Sequence, residues 1–182
     1  MREFFSLQGV FKTRNLVVMA LMASLSMVLE QYTTIYLTPA FKLITFSFLP
    51  WAVVATLYGP WAAVAFGFVA DTVNYLAKPG GPYFMGYTLG IMLECFIYAC
   101  FLYKKPIRIW RVAAARLLVT VLIELGLNYL WNTMLYGTAA STFFTGYRFA
   151  VRFAMLPLYT LMIVTVSRLS LEVQRRAALP RG

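Results

Sequence analysis

Glu124, Asn128 and Trp131 are the residues whose types and spacing most suggest chemistry. They lie in the run Arg116-Leu-Leu-Val-Thr-Val-Leu-Ile-Glu-Leu-Gly-Leu-Asn-Tyr-Leu-Trp131, which reads as a membrane-crossing helix. A charged side chain near the bilayer centre costs roughly 3 kcal/mol or more on insertion scales. Spanning a membrane requires no such residue, so an ionisable group there points to a functional site. The spacing i, i+4, i+7 puts all three on one helical face. An acceptor, an amide and a flat aromatic on one stripe suit a polar, planar ligand. The same types also allow a structural role, with Glu124 paired to a basic residue and Asn128 bonded to a neighbouring helix.

The elements that position this stripe follow from composition. The chain has 182 residues, 62% hydrophobic and 12% charged, with mean hydropathy +0.74. That describes an all-α integral membrane protein forming one domain over residues 1–182. The formal net charge is +10, but the basic residues lie mostly between apolar runs. This is a topology signal rather than a nucleic-acid footprint. The chain has no His, the commonest general base and metal ligand. Cys95 and Cys100 share one apolar run and read as buried helix filler, so neither a disulfide framework nor a metal site is expected. Asp71, Glu94 and Glu124 fall on three helices without the spacing of a paired-carboxylate site, which argues against an intramembrane enzyme. No catalytic residue or cofactor is expected.

One hydrocarbon crossing needs about 20 residues, and six segments fit at about 15–37, 42–58, 60–77, 84–103, 112–136 and 148–168. Lys12 and Arg14 precede the first run, which continues past Glu30 and reads as a retained helix rather than a signal peptide. Thr38-Pro39, Gly59-Pro60, Lys78-Pro-Gly-Gly-Pro82 and Lys104-Lys-Pro106 punctuate the chain, and Gly137 with Thr138–Thr142 ends the fifth segment. Basic residues cluster before the first segment, between the fourth and fifth, and after the sixth. Positive-inside counting therefore puts both termini in the cytoplasm. The 78–82 and 137–147 loops then face outward.

Lys42, Lys78, Arg148 and Arg152 lie on the side that this rule depletes of cations. Arg148 and Arg152 are i, i+4 and point the same way. They can snorkel to headgroups, or form an electrostatic collar for an anionic ligand, since guanidiniums hold carboxylates bidentately. In the first segment Ala20, Ala23 and Ser24 form a small-residue face on which another helix can pack closely.

Phe48-Leu-Pro50 with Leu57-Tyr-Gly-Pro60, Gly67-Phe-Val-Ala-Asp71, and Pro79-Gly-Gly-Pro-Tyr-Phe-Met-Gly86 together form a familiar pattern. With Arg116, Leu127-Asn-Tyr-Leu-Trp131, Arg148 and Met155-Leu-Pro157, the chain resembles the substrate-binding S components of energy-coupling factor (ECF) vitamin transporters. It is most similar to the folate-specific ones, over nearly its whole length. Glu124, Tyr129 and Arg152 depart from that group's pattern, where Asn, Thr and Asn are expected.

The resemblance implies a six-helix S-component fold in the cell membrane of a prokaryote. It implies high-affinity binding of folate or a related pterin from outside. Energy would come from partners, a transmembrane scaffold subunit (EcfT) and two cytoplasmic ATPases, docked through Ala20, Ala23 and Ser24. The chain itself carries no Walker-type phosphate loop. On this reading Asn128 and Glu124 face the amino-pyrimidinone edge of the pterin. Trp131 stacks on or walls the ring. Arg148, Arg152 or Lys78 holds the glutamate tail, and the Lys78–Tyr83 segment closes as a lid. An S component for another planar vitamin, or a self-sufficient secondary carrier, are the other readings.

Overall fold

The computed structural model describes residues 12–38, 41–77 and 83–178. Helix α1 (Thr13–Thr33) leads into strands β1 (Ile35–Thr38) and β2 (Phe41–Ile44). Helices α2 (Phe48–Tyr58), α3 (Pro60–Ala77), α4 (Met85–Leu102) and α5 (Ile109–Val119) follow. A π-helical segment, Thr120–Leu127, joins α5 to α6 (Asn128–Tyr136), and α7 (Thr138–Ala178) completes the fold. Counting α5, the π segment and α6 as one rod gives the six expected helical segments.

The first and second segments differ from the sequence expectation. Helix α1 stops at Thr33, and the residues expected as helix to Leu37 and from Lys42 form an antiparallel hairpin, with Ile35 opposite Ile44 and Tyr36 opposite Lys42. Thr33, Thr34, Ile35, Tyr36, Thr38, Phe41, Ile44 and Thr45 are β-branched or aromatic, which favours a pleated strand over a helix. The last segment is also longer than expected. Residues 138–147, expected as a loop, continue α7, because Gly137 at φ +87° supplies the whole reversal. At 41 residues α7 is ~60 Å long, twice a hydrocarbon core of about 30 Å.

Helix α2 is the centre of the molecule. All nine residues Phe48–Thr56 are buried, and α2 packs on α1, α3, α4 and α7. At 11 residues it is ~16 Å long, too short to cross a bilayer alone; its neighbours shield it instead. Helices α1 and α4 and the Phe149–Arg176 part of α7 are long and apolar enough to span. Two buried hydrogen bonds tie α2 to α1: Trp51 Nε1 donates to Ser26 Oγ at 2.8 Å, and Ser26 Oγ to the Ser47 carbonyl at 3.4 Å. Close α3–α4 packing depends on Gly67, where a Cβ would stand 3.1 Å from Cys95 Sγ.

The basic residues gather at one end. Arg168 Nη2 donates to the Ile107 carbonyl at 3.1 Å, bringing the C-terminal half of α7 to the α4–α5 connection. Lys104, Lys105, Arg108 and Arg111 lie on or beside that connection. Gly59, at φ +85°, packs against the Tyr103 ring at the same end. The opposite end holds the hairpin, the C-terminus of α3, the N-terminus of α4 and the C-terminus of α6.

Candidate functional site

Arg116 is the largest fully buried side chain among the described residues, at 1% exposure. Its guanidinium lies between the rings of Phe48 and Tyr159, at 4.7 and 4.8 Å. Nη1 donates to Tyr98 Oη at 2.9 Å and to Glu94 Oε1 at 3.2 Å, and Nη2 to Glu124 Oε1 at 2.7 Å. Tyr98 in turn donates to Glu94 Oε1 at 3.1 Å. Arg152 Nη1 lies 3.1 Å from the same Glu124 oxygen. Two arginines and two glutamates from α4, α5, the π segment and α7 thus form one buried, charge-balanced cluster. Apolar helices can carry these ions because each meets its counter-ion within hydrogen-bonding distance.

Glu124 therefore sits between two guanidiniums. Of the two roles open to it from sequence, pairing with basic residues is the one whose contacts are visible. Arg152, expected at a ligand carboxylate, is 5% exposed and faces Glu124, while its Nε has no hydrogen-bond partner among the described residues. The π segment contributes to this placement. Asn128 N–H donates to the Ile123 carbonyl, five residues back, so the backbone is wider here than an α-helix. The stripe expected from α-helical spacing is therefore re-aimed between Glu124 and Asn128.

A second polar group lies at the end away from the basic residues. Trp131 packs edge-on against Phe84 with centroids 5.5 Å apart, and Phe84 against Tyr87 at 5.8 Å. Trp131 Nε1 is buried without a hydrogen-bond partner among the described residues. Gly86 lies under this group, where a Cβ would come within 2.3 Å of Phe84 Cε1 and 2.8 Å of Trp131 Cδ2. Tyr87 Oη donates to Asn132 Oδ1 at 2.6 Å, linking α4 to α6. Beside it Tyr83 Oη lies 2.8 Å from Thr88 Oγ1, which donates to Asp71 Oδ2 at 2.6 Å. The Tyr83 ring packs on Tyr75 at 4.9 Å.

Of the residues expected at the ligand, Asn128 and Trp131 are on α6 and half-buried, and Tyr83 lies just before α4. Glu124 and Arg152 belong to the ion cluster. Lys78 and the side chain of Arg148 lie outside the described residues. Sequence reasoning did not single out Asn132, which is 3% exposed, or Tyr87. An amide directly after Trp131 in an apolar run was the available signal; its partner, 45 residues earlier, was not visible.

The small-residue face is on the outside of the bundle. Ala20 and Ser24 are exposed and Ala23 is partly buried against the core. Ser24 Oγ donates back to the Ala20 carbonyl at 3.0 Å, so its polar group is satisfied within the helix. Leu16, Val17, Leu21, Leu25 and Val28 are exposed on the same helix. No group of His, Cys, Asp or Glu able to hold a metal occurs among the described residues.

A family model described as "ECF transporter, substrate-specific component" matches residues 14–170. The chain is 30% identical over 169 residues to the folate transporter FolT of Clostridium novyi (strain NT), covering 92% of this chain and 96% of that protein. It is also 30% identical over 128 residues to the folate transporter FolT of Leuconostoc mesenteroides, covering 70% of this chain and 68% of that one. A crystal structure of FolT bound with folic acid superposes with a TM-score of 0.80 at 31% identity, covering 87% of this chain and 95% of that one.

Proposed function

The chain belongs to the family of ECF transporter substrate-specific components, and from that premise we propose that it is the folate-binding membrane subunit of an ATP-driven importer. It is a transport subunit and not an enzyme. The observation that carries the ligand assignment is the likeness to FolT with folic acid, at 31% identity over 87% of this chain.

The far-end group suits a flat ring with polar edges. Trp131, Phe84 and Tyr87 offer aromatic faces and edges, and Asn128 offers a donor and an acceptor. Tyr83 bounds this group on the α4 side. Lys78 and Arg148, with the free Nε edge of Arg152, are the cations for the two carboxylates of the glutamate tail. Glu124 acts through Arg152, holding its guanidinium in one orientation.

Energy comes from partners, a membrane scaffold subunit and two cytoplasmic ATPases. Ala20, Ala23 and Ser24 are the docking face, supported by the exposure of Ala20 and Ser24 and by the self-satisfied Ser24 hydroxyl. Both termini face the cytoplasm of a prokaryotic plasma membrane. Support comes from the basic end defined by Arg168, Ile107 and the α4–α5 connection.

Calorimetry on the purified protein with folic acid, 5-formyltetrahydrofolate and thiamine tests the assignment. One folate per chain is expected, with no measurable thiamine binding. A preference for thiamine would make the protein an S component for another planar vitamin.

A further inference from the structure

The far-end group contains a buried amide that the ligand roles above do not use. Asn132 is 97% buried by its 3% exposure, and lies in α6 directly after Trp131. Its Oδ1 accepts from Tyr87 at 2.6 Å. That is its one side-chain hydrogen bond among the described residues. An amide has two N–H donors besides its carbonyl, and with Oδ1 accepting from Tyr87 both donors are unused by the described residues. The adjacent Trp131 Nε1 is a buried donor without a hydrogen-bond partner among the described residues.

A buried donor left unmade costs more than a made hydrogen bond contributes. Trp131 Nε1 is such a donor, and the Asn132 amide nitrogen next to it makes no bond to a described residue; beside the Phe84 and Tyr87 rings they form a place where a planar molecule with acceptors on its edge gains both bonds at once. A purely structural tie between α4 and α6 would need only the Asn132 carbonyl, and nothing in that role requires nitrogen on the other branch.

We propose that Asn132, fixed by Tyr87, is a ligand-recognising residue that donates to a carbonyl oxygen or ring nitrogen of a planar heteroaromatic ligand, with Trp131 Nε1 as the neighbouring donor. The proposal rests on the reading of the protein as a folate-binding subunit. It assigns the acceptor-bearing edge of the ring to the α4–α6 interface. Tyr87 is a positioning residue, since it sets which branch of the amide faces the ligand.

Asn132→Asp separates the two roles. The carboxylate still accepts from Tyr87, so a structural tie survives; the other branch changes from donor to acceptor and repels the ring edge. Purified wild type and N132D are compared by calorimetry with folic acid and with pterin, and by thermal melting without ligand. The expected result is a folded protein with affinity for both probes weakened by about tenfold or more. Equal affinity in a folded N132D overturns the proposal.

Should N132D fail to fold, Tyr87→Phe is used. Releasing the amide is expected to weaken folic acid binding several-fold, with a less favourable binding enthalpy. A lowered melting temperature with unchanged affinity would make the pair a structural tie and overturn the proposal. Wild-type protein that binds neither probe overturns the folate reading and this assignment together, whereas wild-type binding with indifferent variants overturns this assignment alone.

Discussion

The ion cluster and the aromatic–amide group share α4 and the rod of α5, the π segment and α6, and they differ in how their polar groups are paired. Glu124 and Asn132 are eight residues apart on one rod, ~12 Å along its axis. Around Glu124 the polar groups face one another: Arg116 meets Glu94, Tyr98 and Glu124, and Arg152 meets Glu124. Around Asn132 there is no ion pair among the described residues: Trp131 Nε1 is buried without a hydrogen-bond partner, and the Asn132 side chain makes one bond, through its carbonyl to Tyr87. The ion cluster also keeps donors without hydrogen-bond partners among the described residues, Arg116 Nε and Arg152 Nε, so its ion pairs are what set it apart. Opposite charges in contact cross-link the helices, and neutral donors beside aromatic rings suit a planar ligand. Counting charged residues in the membrane interior would have ranked the two regions in the opposite order.

Removing the centre of the ion cluster should break the comparison most severely. Arg116→Met leaves Glu94 and Glu124 without their shared cation and removes the group between Phe48 and Tyr159. Deleting one partner of a buried ion pair typically costs about 3–5 kcal/mol. The variant should melt far below wild type in detergent, or fail to accumulate in the membrane. Unchanged melting would show that the cluster is not a cross-link.

The aromatic–amide region should respond in affinity rather than stability. Asn128 is half-buried on the first turn of α6, and its side chain makes no hydrogen bond to a described residue. Asn128→Ala should weaken folic acid binding by roughly tenfold, the equivalent of about 1.4 kcal/mol, with little change in melting temperature. A fall in melting temperature comparable to that of the Arg116 variant would place Asn128 with the cross-link.

Glu124→Gln tests the boundary between the regions. Glutamine keeps the shape and an oxygen for Arg116 Nη2, but removes the charge facing Arg152. Arg116 retains Glu94, so the stability loss should be smaller than for Arg116→Met, about 1–3 kcal/mol. Folic acid affinity should fall only a few-fold, through a less well-held Arg152. A loss larger than that of Asn128→Ala would return Glu124 to direct contact with the ligand.

Much of this organisation was legible in the sequence, and the omissions share a cause. The helical rods and the Gly59-Pro60 and Lys104–Pro106 breaks follow from local rules of hydropathy, proline and glycine. Gly137 ends a helix as its residue type suggests, and a single glycine with positive φ is enough for α7 to start at once. The hairpin was lost because its residues are apolar enough to pass for helix ends. The π segment has no comparable local signature, although it re-aims Glu124 relative to Asn128. In the site, Arg116 stands in a recognisable motif, but its pairing with Glu124, eight residues away, lies beyond the three- or four-residue spacing of standard helical pairs. The Tyr87–Asn132 bond joins residues 45 apart, and only the packing of α4 near α6 brings them together.

The smallest effect on either region should come from the outer face of α1, and that is what makes it informative. Ala20 and Ser24 are one turn apart and exposed, and close helix approach tolerates only small side chains at such positions. The Ser24 hydroxyl bonds to its own helix, so its loss orphans no partner elsewhere in the bundle. The ion cluster is built from α4, α5, the π segment and α7, and the aromatic–amide group from α4 and α6; neither uses α1. Replacing Ala20 and Ser24 together with Trp should therefore leave melting and folic acid affinity near wild type. Copurification with the scaffold subunit and ATP-dependent uptake should both be lost. If affinity falls with assembly, α1 is coupled to the ligand region; if the complex remains intact, the docking face lies elsewhere.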